Sequence, residues 1–175
     1  MNAAQGGVAL SFRNTGQAGA VFQVRFGDGR TPRTYTVGDS DETSDVFGDV
    51  GATSYSLSVH GPNGFLRTFA GGLAPGNANL TVQAVYDKDG EGIALVIRNH
   101  GSSAEKISIL DAYSGRTQTR VVHPNNTATH VSQLHNSFGW YDLTVSSESD
   151  SGFSRQLAGH VETGRPSVSD PAIGS

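Results

Sequence analysis

The sequence predicts an all-β protein of two tandem immunoglobulin-like antiparallel β-sandwiches, related by internal duplication, the first lacking its first strand. Three observations lead there. Twenty-three Gly and six Pro among 175 residues break the chain too often for long helices, while Val, Ile, Leu, Phe and Tyr are plentiful enough for a core. Apolar residues alternate with polar ones in short runs between those turn-formers, the period of a strand with one buried face. Most informatively, the chain repeats itself.

Val8-Ala-Leu-Ser-Phe-Arg-Asn-Thr-Gly16 matches Ile93-Ala-Leu-Val-Ile-Arg-Asn-His-Gly101 at an offset of 85, with Ala, Leu, Arg, Asn and Gly identical. Tyr55-Ser-Leu-Ser-Val59 matches Tyr141-Asp-Leu-Thr-Val145 at 86, and Phe65, Arg67, Ala70 and Gly71 match Phe153, Arg155, Ala158 and Gly159 at 88. The offset grows only across stretches that read as loops, as insertion into surface connections after duplication produces. The expected organisation is a first repeat over 1–76, a second over 77–165 and a tail over 166–175.

The second copy shows the unit whole. Leu80, Val82 and Ala84 alternate within a first strand, and Asp87-Lys-Asp-Gly-Glu-Gly92 turns it. Residues 93–98 are almost continuously apolar, as a strand covered on both faces requires, and Asn99-His-Gly101 ends it. Ile107 and Ile109 mark the third strand, and Ser114-Gly115 the turn after it. Residues 117–122 and 127–134 form the fourth and fifth, separated by His123-Pro-Asn-Asn126. Residues 140–145 and 153–161 complete seven strands in about 85 residues, the pattern of an immunoglobulin-like sandwich. Tyr141, near the start of the sixth strand, and Tyr55 in the first copy sit where such sandwiches place a corner tyrosine, whose hydroxyl bonds to nearby backbone. The counterpart of the 79–86 strand would precede Met1, so the chain reads as a C-terminal piece whose first strand lies upstream. A cut edge of this kind invites an edge-strand dimer.

Composition narrows the function classes. A net charge of −4, with two Lys against ten Arg, offers no clustered cationic face for nucleic acid. The longest apolar run, 93–97, is far short of the roughly 20 residues a spanning helix needs. With no Cys, thiol catalysis and thiolate metal sites are excluded. The six His show neither His-x-His nor His-Glu-x-x-His spacing, and no Gly-x-Ser-x-Gly elbow is present, so no catalytic residue is assigned and no cofactor is expected.

The candidates that remain are few. Asp87, Asp89 and Glu91 alternate like the start of a calcium loop, but position 98 is Arg where the bidentate Glu would stand. No metal is therefore expected there, an acidic hairpin turn being the simpler reading. Asp39, Asp41, Glu42 and Asp45, with Asp49 close behind, form a second acidic loop that reads as a solubilised edge. Arg25, Arg30 and Arg33 could make a small cationic patch. Trp140 is the binding candidate: it lies on the face opposite Tyr141, either as a half-exposed platform or covered by the other repeat. The pairs Arg13/Arg98 and Asn14/Asn99 recur at a strand end in both copies. They read as turn devices, with Asn left-handed ahead of Gly and Arg bonding carbonyls or a carboxylate.

The Arg-Asn-x-Gly strand ends, the run Gly139-Trp-Tyr-Asp-Leu-Thr-Val145, and above all Phe153-Ser-Arg-Gln-Leu-Ala-Gly-His-Val-Glu-Thr-Gly-Arg-Pro-Ser167 resemble the C-terminal repeats of bacterial phospholipase C. These are the Gram-negative hemolytic and non-hemolytic enzymes related to acid phosphatases. The resemblance implies a non-catalytic accessory pair following a phosphoesterase domain that hydrolyses phosphatidylcholine or sphingomyelin. Its implied partners are that upstream domain and a phospholipid membrane surface, and it implies export to the periplasm or medium on a signal outside this chain. The alternative function is a carbohydrate- or calcium-dependent lipid-binding module built on the acidic loops and Trp140.

Overall fold

A computed structural model describes residues 2–4, 7–47, 53–86, 92–164 and 166–172. Among these residues the first copy contains β1 (Asn2–Ala4), β2 (Gly7–Arg13), β3 (Ala20–Phe26), β4 (Arg33–Val37), β5 (Glu42–Phe47), β6 (Ser54–His60) and β7 (Leu66–Gly72). The second contains β8 (Leu80–Tyr86), β9 (Gly92–Asn99), β10 (Glu105–Asp111), β11 (Arg116–Val122), β12 (Thr127–Gln133), β13 (Trp140–Ser147) and β14 (Ser154–His160). A single 3-10 turn, His135–Ser137, is the one helical element described. No described helix is long and apolar enough to cross a membrane.

Each copy is a three-stranded sheet packed on a four-stranded one, and all described pairings are antiparallel. In the second copy β12-β9-β8 faces β11-β10-β13-β14; in the first, β1-β2-β5 faces β4-β3-β6-β7. The alternation read from the sequence becomes the core directly. Leu80, Ile93, Leu95 and Ile97 from one sheet meet Ile107, Ile109, Tyr141, Leu143, Val145 and Leu157 from the other. Val8, Leu10 and Phe12 likewise meet Phe22, Val24, Leu57 and Val59 in the first copy. Ile93, Leu95 and Ile97 are fully buried, and each contributes about 2–3 kcal/mol of apolar transfer, so this strand anchors its sandwich.

Three features depart from the sequence expectation. The first copy does hold a strand in the first position, though only the three residues of β1, with Asn2 opposite Ala9 and Ala4 opposite Gly7. Asn14 and Asn99 are not left-handed; they act through their side chains. Each Nδ2 donates to a carbonyl four residues on, Ala18 or Ser103, and across to the other sheet at Val37 or Val122. Each Oδ1 accepts the N–H of Gly16 or Gly101. The third departure sets the shape of the molecule. β14 pairs with β7, so the two four-stranded sheets fuse into one of eight strands, in the order β11-β10-β13-β14-β7-β6-β3-β4.

Candidate functional site

The β7–β14 junction gathers two of the pairs that recur in both copies, Arg67/Arg155 and Tyr55/Tyr141. Its register runs from Leu66 opposite Ala158 to Ala70 opposite Ser154, and Thr68 lies opposite Gln156 at the centre. Since 66, 68 and 70 correspond to 154, 156 and 158 in the repeat, the pairing has a local twofold axis through Thr68 and Gln156. Such an axis stands normal to the sheet in an antiparallel pair. Both three-stranded sheets therefore lie on the same side of the fused sheet.

Two reciprocal clamps follow that symmetry. Arg67 of the first copy donates to the Tyr141 hydroxyl of the second at 2.9 Å and to the Ala158 carbonyl at 2.8 Å. Arg155 of the second copy donates to the Tyr55 hydroxyl of the first and to the Ala70 carbonyl at 2.5 Å. Each guanidinium also stands 4.3 Å from the centre of an aromatic ring, Phe65 or Phe153, a distance at which cation–π attraction adds to the hydrogen bonds. Tyr86 extends one clamp only, lying 3.1 Å from Arg67 and 3.0 Å from the Tyr141 hydroxyl. Burial pushes the Tyr141 phenol up from its ordinary value, Arg67 opposing, so it stays protonated in this cluster.

The tyrosines are thus corner residues in position, but their hydroxyls reach an arginine of the other copy rather than nearby backbone. Gly71 and Gly159 leave them room: a Cβ at either would lie 2.6 or 3.0 Å from the Tyr55 or Tyr141 hydroxyl. Asp150 secures the connection between the copies, accepting from Asn77 Nδ2 and the Ala78 N–H at 3.1 and 3.0 Å. Burial acts to raise its pKa, but hydrogen bonds from Ala78, Asn77, Gly152 and Phe153 outweigh it and hold the carboxyl below its ordinary range.

The residues singled out from the sequence fall elsewhere. Asp87, Asp89 and Glu91 lie outside the described residues. Among the described residues no three His, Asp or Glu side chains are grouped to hold a metal. Within the other acidic loop, Asp45 accepts from the Tyr35 hydroxyl at 2.5 Å and from Arg33 at 2.9 Å, and Asp41 caps the Glu42 N–H. Arg30 pairs with Asp28 at 2.7 Å, so with Arg33 engaged by Asp45 two members of the basic patch are neutralised. The Trp140 indole is half-buried. It packs on His160 with ring centres 4.9 Å apart, meets Gly64 of the first copy, and donates to the Val168 carbonyl of the tail at 3.0 Å. Tyr113 fixes the same tail through Asp170 at 2.7 Å.

A duplicated sandwich pair with a shared sheet and cross-copy clamps defines a class of tandem β-module. The chain belongs to the family described as the bacterial phospholipase C, C-terminal domain, whose profile matches residues 1–72 and again 80–160, one match per sandwich. It is 43% identical over 173 residues to the non-hemolytic phospholipase C of Burkholderia pseudomallei, covering 94% of this chain and 24% of that protein. The non-hemolytic and hemolytic phospholipases C of Pseudomonas aeruginosa are 37% and 36% identical, each over 95% of this chain and 25% of their own length. The chain therefore spans about a quarter of the relatives it matches.

Proposed function

We propose that the chain is a non-catalytic accessory pair of a phospholipase C. It packs on an upstream phosphoesterase domain acting on phosphatidylcholine or sphingomyelin, and it helps present that domain to lipid surfaces or partner proteins. The observation that carries this reading is the use made of the repeated polar residues. Arg67, Arg155, Tyr55, Tyr141, Asn14 and Asn99 are engaged with each other and with backbone, which supports a rigid platform whose variable loops are free to meet a neighbour. Export to the periplasm or medium belongs to the same reading, as does the division into 1–76, 77–165 and a tail from 166.

The engagement of Trp140 by the tail and by Gly64 favours this platform over a sugar- or lipid-binding surface centred on the indole. Phosphocholine release from phosphatidylcholine vesicles by the isolated chain tests the proposal. No turnover is expected, and measurable hydrolysis by this chain alone would sink it. Sedimentation with the same vesicles, with and without calcium, should leave the chain in the supernatant; calcium-dependent pelleting would favour the lipid-binding alternative.

A further inference from the structure

The second sandwich carries a buried charge where the first carries a methyl group. Glu105 lies opposite Val122 in the β10–β11 pair, as Ala20 lies opposite Val37 in β3–β4. At the offset of 86 that relates Tyr141 to Tyr55, Ser147 stands where the first copy has Gly61. The first sandwich forms without either group, so the fold itself does not call for them. Glu105 is only 8% exposed, and its Oε2 accepts from the Ser147 and Ser149 hydroxyls at 2.8 and 2.5 Å. Among the described residues none donates to Oε1, and no ion pair joins the carboxylate. Since no buried side-chain oxygen among them is left without a partner, Oε1 has access to solvent. A cavity of about 420 Å³, walled by the linker 73–79 between the sandwiches and lined by Glu105, is its outlet.

The same cavity is lined by Tyr55 and Arg155 of one clamp. The Tyr55 hydroxyl accepts from Arg155, and its own hydrogen has no acceptor among the described residues. A guanidinium bonded to the phenol oxygen polarises that O–H toward an anionic acceptor. We propose that this cavity binds a small zwitterion, whose primary ammonium donates to Glu105 Oε1 and whose carboxylate accepts from the Tyr55 hydroxyl, with Arg155 behind it.

The lining specifies the ligand. A largely buried carboxylate with one oxygen unbonded favours a donor cation beside it. A quaternary ammonium donates no hydrogen bond and is held by aromatic cages, whereas Tyr55 is the one aromatic residue among those described in the lining. Glu105 is likewise the one carboxylate there, fewer than a hard divalent cation gathers. Leu73, Pro75 and Ala78 add apolar surface for the body of the ligand, and the volume lies within the range usual for small-molecule sites. The inference does not depend on the accessory role proposed above, since a rigid pair can carry such a site whatever it packs against.

NMR titration of the chain with γ-aminobutyrate, ε-aminocaproate and ω-aminocaprylate, zwitterions of increasing charge separation, tests it. At least one should shift the backbone amides of Ala78, Ser103 and Glu105 saturably. Caproate and n-hexylamine, each with one charge, should bind about tenfold more weakly or worse. Glu105→Gln keeps an acceptor for Ser147 and Ser149 but removes the charge, and should weaken binding by a similar factor. Glu105→Ala, which restores the residue of the first copy, should do the same and serves if the glutamine variant does not fold. No saturable shift with any of the three zwitterions would overturn the proposal. So would equal binding by the single-charge analogues, or by a folded Glu105 variant.

Discussion

Arg67 and Arg155 illustrate how a side chain that repeats in sequence can have a meaning visible only across the repeats. Each bonds the tyrosine of the other copy, 74 and 100 residues away in sequence. The repeat marks these positions, and within its own copy each arginine meets a neighbouring ring and carbonyl, but the tyrosine it bonds belongs to the other copy. Arg155 is 3% exposed, and its removal leaves the Tyr55 hydroxyl and the Ala70 carbonyl without their donor. Arg155→Met should therefore lower stability by about 3 kcal/mol in urea unfolding. Arg67→Met, at a half-buried site, should cost less. A double-mutant cycle of Arg155→Met with Tyr55→Phe should show a coupling of about 1–2 kcal/mol. Asn99 was recognisable as structural from its recurrence, though not for the right reason, because an inter-sheet carbonyl cannot be read from local spacing. Asn99→Ala breaks three hydrogen bonds at a fully buried site and should cost about 2–3 kcal/mol.

At the same scale, burial holds the His130 pKa below its ordinary 6.5, Arg120 adding to the effect and Asp111 opposing it. Burial and Arg25 do the same to His60. A histidine whose folded value is depressed stabilises the fold in its neutral form. That contribution is complete above about pH 6.5 and is lost as pH falls below it through the folded value. Asp45 and Asp150, whose folded values are lowered, keep their contributions until pH drops below about 3.8. Between pH 7 and 5 the melting temperature should fall, and His130→Asn should flatten that fall; a slope identical to the parent's would contradict the assignment.

Among the elements, the seven strands of the second copy were legible because each is a short run closed by its own turn, most of them with period-2 alternation and residues 93–98 as a continuous apolar run. The β7–β14 pairing was not, since an edge that joins a neighbouring sheet has the same alternation as one that meets water. Its one sequence trace is the repeated Ala-Gly of 70–71 and 158–159, small residues where the clamps and the tyrosine hydroxyls approach backbone. A Cβ at residue 71 would stand 2.6 Å from the Tyr55 hydroxyl and 2.9 Å from its ring carbon. Gly71→Ala should accordingly displace Tyr55 from Arg155 and cost about 1–3 kcal/mol, measurable as a lower urea midpoint with an unchanged m value. The first strand of the first copy was not legible: the structure forms β1 at Asn2–Ala4, paired with Gly7–Ala9.

For the molecule as a whole, duplication has produced a pair that shares one sheet instead of two beads on a linker. Five residue pairs join β7 to β14, the clamps cross in both directions, and Asp150 holds the connecting residues 77–78. The two matches of the family profile, over 1–72 and 80–160, fall on one sandwich each, so the shared sheet is the feature that makes a tandem repeat into a single body. Opening one sandwich would strip the other of its edge strand partner and of one arginine. Differential scanning calorimetry of the intact chain tests this central claim most directly. One transition is predicted, with calorimetric and van't Hoff enthalpies equal; two resolved transitions, one for each sandwich, would contradict it.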